Sequence, residues 1–229
     1  NIMRLALLQS PPSGTSDKRT ERDADALETF QIFDDLTLSG PRPLASAPIR
    51  TAPRRTYDPV RETAQPEGGH VPMVLARLAA TDPKAWQTLG DALARFGKAC
   101  GLFTSVEVHR SGKSKPGEPF QVLVGIDGQR TPANLVDVGY GVSQVLPVLV
   151  DVLTESGGWF LLQQPEVHLH PRAQAELGTF VAAMVTTGRR FVIETHSDFL
   201  VDRVCTEVRK RTYLKPTDVA ILYFRREGS

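Results

Sequence analysis

Trp159-Phe160-Leu161-Leu162-Gln163-Gln164-Pro165-Glu166-Val167-His168-Leu169-His170-Pro171 is the stretch on which the fold turns. Its first four residues form a short apolar run, which predicts a buried strand. Polar residues follow at once, and Pro171 then opens a helical pattern in which Ala173, Leu177, Phe180, Val181 and Met184 share a face. Downstream, residues 191–193 predict a second buried strand, residues 200–210 a helix and residues 219–224 a third strand. Upstream, Val142, Val145, Leu146, Leu149, Val150 and Leu153 line one side of a helix. Strands alternating with helices predict an α/β fold with a mostly parallel sheet and flanking helices.

Further upstream, Asp82-Pro83 predicts a helix start, with Asp82 as N-cap and Pro83 at the first helical position. Trp86, Leu89, Ala92, Leu93 and Phe96 then recur at helical spacing. Residues 104–109 and 120–126 are β-type runs flanking a polar Gly/Lys/Pro stretch, which predicts a hairpin, and Asp127-Gly128 predicts another turn. Residues 1–70 are broken by Pro11, Pro12, Pro41, Pro43, Pro48 and Pro53 and predict short strands and helices joined by loops. The expected division is an irregular part over residues 1–70, a helical and hairpin region over 71–133, and an α/β lobe over 134–229.

Across all 229 residues, 27 Lys and Arg balance 26 Asp and Glu, so net charge nominates no partner. Hydrophobic residues at 41% and charged residues at 23% are an ordinary globular mix. Cys100 and Cys205 match no metal spacing, which fits free thiols and a cytoplasmic setting. No apolar run approaches the ~20 residues that span a bilayer, and no charged-then-apolar leader is present, so no membrane association is expected. The chain starts at Asn1 and its last strand ends close to Ser229, which leads us to expect a piece of a longer protein.

Ligands of open parallel sheets sit at the carboxyl ends of the strands. Two such ends are polar here: residues 163–171, and Glu194-Thr195-His196-Ser197-Asp198. Leu161-Leu162-Gln163-Gln164-Pro165-Glu166-Val167-His168-Leu169-His170-Pro171 resembles the Walker B region of ABC-type ATPases, in the version of the overcoming-lysogenization-defect and SMC-like group. IETHSDFLVDRV, from Ile193, resembles that group's switch segment, and GYGVSQVLPVL, from Gly139, its signature segment. The order and spacing agree over residues 134–205, and APIRTAPRRTY over residues 47–57 extends the likeness upstream.

The resemblance implies the C-terminal part of an ATPase head that binds ATP and Mg2+ and dimerises around the nucleotide. Gly139 and Gly141 would let backbone N–H groups approach phosphate at a helix start. Ser143 and Gln144 would face ATP held by a second subunit. Gln163 falls where the magnesium-organising acid sits, and Gln164 where the catalytic carboxylate often sits. An amide can orient water but cannot accept a proton. Glu166 is then one candidate for the base, against a bland reading as an exposed carboxylate near a helix start. His196 would donate to the γ-phosphate, against a bland reading in which it caps the next turn through Ser197 and Asp198. The implied partners are a second copy or larger assembly, an effector protein such as a nuclease, and nucleic acid. The implied role is anti-phage defence or DNA transactions.

Other readings remain open at this level. The two amides fit a non-hydrolysing ATP sensor. His168, His170, His196 and Asp198 would suit a metallohydrolase. Ser111-Gly112-Lys113-Ser114 contains the Gly-Lys-Ser of a P-loop, but Glu107 stands where its first Gly belongs and the flanks predict a hairpin. A P-loop is therefore expected upstream of Asn1. Basic groups at Arg54-Arg55 and at Arg203, Arg209, Lys210 and Arg211 could meet phosphate backbones, or could be solvated faces.

Overall fold

The computed structural model describes residues 2–8, 43–59, 63–110, 118–155 and 158–225. The apolar run at residue 159 becomes strand β6 (Gly158–Gln163), and the run at 191 becomes β7 (Arg189–Thr195). They pair in parallel with Leu162 opposite Ile193 and Gln163 opposite Glu194. The crossover between them is helix α4 (Pro171–Val185), opened by Pro171 as its sequence requires. Strand β2 (Leu44–Ser46) lies parallel on the outer side of β6, with Ser46 opposite Leu162.

The strand order of the main sheet is β2-β6-β7-β1-β8. Strand β1 (Ile2–Leu8) runs antiparallel to β7 and also to β8 (Val219–Arg225). Strand β8 therefore shares the direction of β7, and β1 alone runs against the other strands. The expected mostly parallel α/β sheet is present, with one amendment: β8 does not pair with β7, because the N-terminal strand separates them.

Helices α1 (Val71–Thr81), α2 (Pro83–Cys100), α3 (Tyr140–Thr154) and α5 (Asp198–Lys210) complete the layers with α4. Helix α5 packs along α4, while α2 touches α1, α3 and α4. The Asp82-Pro83 start of α2 forms as the sequence predicts, with the Asp82 carboxylate accepting from Ala85 N at 2.9 Å. The same helix stops at Gly101, whose φ of 75° lies in the left-handed region that glycine enters without strain. Helix α3 departs from the expectation of one buried face. Every residue from Val142 to Val152 is buried, so it runs through the interior. Burying each Val or Leu there contributes about 1.5–3 kcal/mol.

Strands β3 (Ser105–Arg110) and β4 (Phe120–Gly125) pair antiparallel, His109 opposite Gln121, which is the expected hairpin. Strand β5 (Ala133–Asn134) adds to β4 after a turn in which Gly128 has φ 75°. Ser111-Gly112-Lys113-Ser114 lies outside the described residues, as do Pro11, Pro12 and Pro41. Among the described residues, no helix is long and apolar enough to cross a membrane.

Candidate functional site

The carboxyl ends of β2, β6 and β7 come together because the three strands are parallel neighbours. Beyond the Ser46–Leu162 pair the two chains continue four residues each, to Arg50 and Glu166. Beyond the Gln163–Glu194 pair, β7 leads to Thr195 and His196. Parallel pairing thus gathers Arg50, Gln163, Gln164, Glu166, Glu194 and His196 on one rim of the sheet.

Glu166 is not the exposed carboxylate of the bland reading: it is 6% exposed. Its Oε1 accepts the backbone N–H of His196 at 2.8 Å, and its Oε2 has no hydrogen-bond partner. The loop after β6 therefore grips the switch segment directly. A second tie runs through Gln174 of α4, which donates to Leu169 O at 2.8 Å and accepts from Ser197 Oγ at 2.6 Å. Ser197, and not His196, caps α5, accepting from Leu200 N at 3.0 Å. His196 is left at the surface of the rim, between two residues that are fixed.

Arg50 is 2% exposed, yet its Nη1 and Nη2 have no hydrogen-bond partner. Its backbone is held on both sides by the fully buried Gln144, which accepts from Arg50 N at 3.0 Å and donates to Arg50 O at 3.4 Å. Burial pushes the Arg50 guanidinium down to about 10, partly offset by the charge of Glu166. At neutral pH the group is still a cation. Its Nε donates to Ser46 Oγ at 3.5 Å and the Glu166 charge favours the cation, so what stays unanswered is the pair of Nη groups, which are costly to bury without an acceptor.

Gln163 and Gln164 both reach across to Glu194. Gln163 Nε2 donates to Glu194 Oε2 at 3.4 Å and Gln164 Nε2 to Glu194 Oε1 at 3.3 Å. Gln164 N also donates to Glu194 O at 2.8 Å. Gln164 has φ 42° and His168 φ 65°, so two non-glycine residues of one short loop occupy the left-handed region. Such residues each carry strain of about 1–3 kcal/mol and cluster at functional loops.

The signature stretch sits beside this loop. Gly139 is the exposed N-cap of α3, with φ −55° and ψ 142°. Gly141 packs against the loop after β6, where an added Cβ would lie 2.8 Å from His168 O. The Tyr140 and His168 rings meet edge to face at 4.6 Å between centroids. Ser143 is 4% exposed and donates to Tyr140 O at 2.8 Å. Ser143 therefore departs from the expected outward-facing role, and so does Gln144. Gln144 points into the molecule and fixes the Arg50 segment, so it does not face outward towards a second subunit.

The metallohydrolase reading does not assemble: among the described residues no group of three or more His, Cys, Asp and Glu is placed to hold a metal ion. His170 is spent as the N-cap of α4, its Nδ1 accepting from Ala173 N at 3.4 Å. His168 is against Tyr140. The basic groups are also partly answered: Arg55 makes a two-point pair with Asp137 at 2.8 and 2.6 Å, and Arg203 meets Glu176 at 3.2 Å.

The sequence places Glu194 at a polar strand end without assigning it a role, and it gives Arg50 none. Strand register would have pointed to Glu194, which falls opposite Gln163. Arg50 lies in the 47–57 stretch, but its burial is visible only once β2 is docked on β6. A buried guanidinium with two unsatisfied Nη groups, small residues at a helix start and an exposed histidine on one rim suit an anionic phosphate ligand.

No curated protein matches the chain. Among solved structures, an Smc head domain with an extended coiled coil bound to the C-terminal domain of ScpA, from Pyrococcus furiosus, aligns at 9% identity with a TM-score of 0.42. That alignment covers 52% of this chain and 30% of that one, so this chain spans under a third of its length. A structure described as "Structural biochemistry of ATP-driven dimerization and DNA stimulated activation of SMC ATPases" aligns at 6% identity and a TM-score of 0.42, covering 61% of this chain and 84% of that one. A family model described as "AAA domain, putative AbiEii toxin, Type IV TA system" matches residues 9–202. With most of its length matched, the chain belongs to this family of AAA, ATPase-type domains.

Proposed function

We propose that this chain is part of a cytoplasmic ATPase head that binds ATP with Mg2+ at the rim formed by β2, β6 and β7 and dimerises around it. The observation that carries the reading is the direct coupling of three segments on one rim. The loop after β6 touches the start of α3 at Gly141 and holds the switch backbone through Glu166. In this reading His196 meets the γ-phosphate and Gln164 orients the attacking water, with Glu166 fixing His196 from behind. Gly139 and Gly141 form the phosphate-facing start of α3, and Ser143 and Gln144 support it from within, through Tyr140 O and the Arg50 backbone. Arg50 offers the cation on the inner side, and Gln163 is the candidate contact for magnesium. The bound metal would draw charge from the β- and γ-phosphates, lowering the cost of the charge that moves during transfer.

The finer assignment is to the overcoming-lysogenization-defect and SMC-like group, with an effector such as a nuclease and a role in anti-phage defence or DNA transactions. It rests on the three ordered segments. The test uses the full-length protein carrying this chain. Light scattering with and without ATP·Mg2+ should show a nucleotide-dependent dimer, and phosphate release should accompany it. A mass that ignores ATP, together with no ATP binding by calorimetry, would sink the proposal. A second reading, a non-hydrolysing ATP sensor, is favoured by the two amides at 163 and 164. It predicts dimerisation without phosphate release.

A further inference from the structure

The amides at 163 and 164 raise the question of where the site keeps its carboxylate. A water attacking the γ-phosphate needs a group that can accept its proton, and neither Gln163 nor Gln164 can do so. Glu166 is turned inward, with one oxygen taken by His196 N. Among the described residues gathered at the strand ends, the other acid is Glu194, half-buried at the end of β7. Its two carboxylate oxygens are each engaged by one amide, at 3.4 Å from Gln163 and 3.3 Å from Gln164. Each oxygen keeps a second lone pair, because a carboxylate oxygen accepts two hydrogen bonds.

We infer that the proton-accepting carboxylate of this site has moved across the sheet, from the end of β6 to Glu194 at the end of β7, where Gln163 and Gln164 hold it. Parallel register makes this exchange geometrically cheap: residue 194 stands directly opposite 163, so the two side chains start about 4.8 Å apart on the same face of the sheet. In the step itself, water oxygen bonds to the γ-phosphorus and the β–γ bridging bond breaks. ADP leaves with that electron pair, and the water's proton passes to Glu194. Towards Glu194, Gln163 and Gln164 act as positioning residues through Nε2, because an amide N–H aims an acceptor without taking its proton, and their Oε1 atoms stay available for the water and magnesium roles proposed above. This assignment rests on the proposed ATP site.

The test is a swap in the full-length protein, read by ATP binding, dimer lifetime and phosphate release. Glu194→Gln keeps an acceptor and a similar shape. It should lower kcat by about 100-fold or more, the usual weight of a proton acceptor. ATP affinity should change by less than about 3-fold, and the ATP-bound dimer on a sizing column should persist longer. Gln164→Glu alone sets two carboxylates side by side and should also depress kcat by charge repulsion. Combining Gln164→Glu with Glu194→Gln should restore at least a tenth of the wild-type rate, because the acid returns to the neighbouring strand end. An unchanged kcat in Glu194→Gln, with binding intact, overturns the role of Glu194. So does a parallel loss of ATP affinity, which marks a structural residue. If the wild type binds no ATP, the site reading itself falls and this assignment with it.

Discussion

Glu166 occupies a position that a sequence reader assigns to chemistry and that the structure turns into a clasp. Its buried Oε1 takes the His196 N–H at 2.8 Å, so removing it leaves a backbone donor unanswered beneath the rim. Glu166→Ala should cost about 1–3 kcal/mol in urea unfolding at constant m-value, whereas Glu166→Gln, which keeps the acceptor, should retain most of that. Equal midpoints for Ala and wild type would show that the clasp carries no stability. The two glycines of the signature stretch separate in the same way. At Gly141 an added Cβ meets His168 O at 2.8 Å, and Gly141→Ala should destabilise by about 1–3 kcal/mol through overpacking. At Gly139 a Cβ meets nothing within 4 Å and φ is −55°, so Gly139→Ala should stay within about 0.5 kcal/mol. Thermal unfolding of the two variants decides it: similar shifts for both would contradict this packing.

Local chemistry decides the elements as far as their ends. The α2 start is fixed by one side chain, since Asp82 accepts from Ala85 N at 2.9 Å and Pro83 has no N–H to leave idle. Asp82→Ala should therefore lower stability by about 1 kcal/mol and Asp82→Asn by much less; chemical denaturation that fails to rank Asn above Ala would disprove the cap. Helix α3 shows where local pattern stops being informative. Six apolar positions on one side predict an amphipathic helix, yet Ser143, Gln144 and Asp151 are buried as well. They are tolerated because each has a partner. Ser143 donates to Tyr140 O, Gln144 binds both backbone groups of Arg50, and Asp151 Oδ1 lies 3.0 Å from His70 Nε2. Asp151 and Gln144 read as solvent-facing in sequence because their partners lie 81 and 94 residues away.

Over the whole molecule, the main sheet depends on a strand contributed by the first residues. Strand β1 fills the gap between β7 and β8 and pairs with both. Deleting residues 1–8 would leave two unpaired strand edges, a state that favours association. Backbone amides of β8 should lose their hydrogen-exchange protection in that variant, while those at the β2–β6 edge keep theirs. Full protection of β8 without β1 would mean that the sheet closes some other way.

The sequence by itself determined the α/β alternation, the hairpin, the Asp82 cap and the two polar strand ends, because each depends on residues close together in the chain. Periodicity and turn chemistry act over a few residues and survive without tertiary context. The tertiary structure alone decided the insertion of β1, the burial of Arg50 and Gln144, the use of His170 as a cap and the facing of Gln163 and Gln164 towards Glu194. Apart from the His170 cap, which is a contact with Ala173 three residues on, these are set by strand order and by how distant segments dock. Pairing energy depends on the whole sheet and its buried faces, and no local pattern encodes which distant strand will lie alongside.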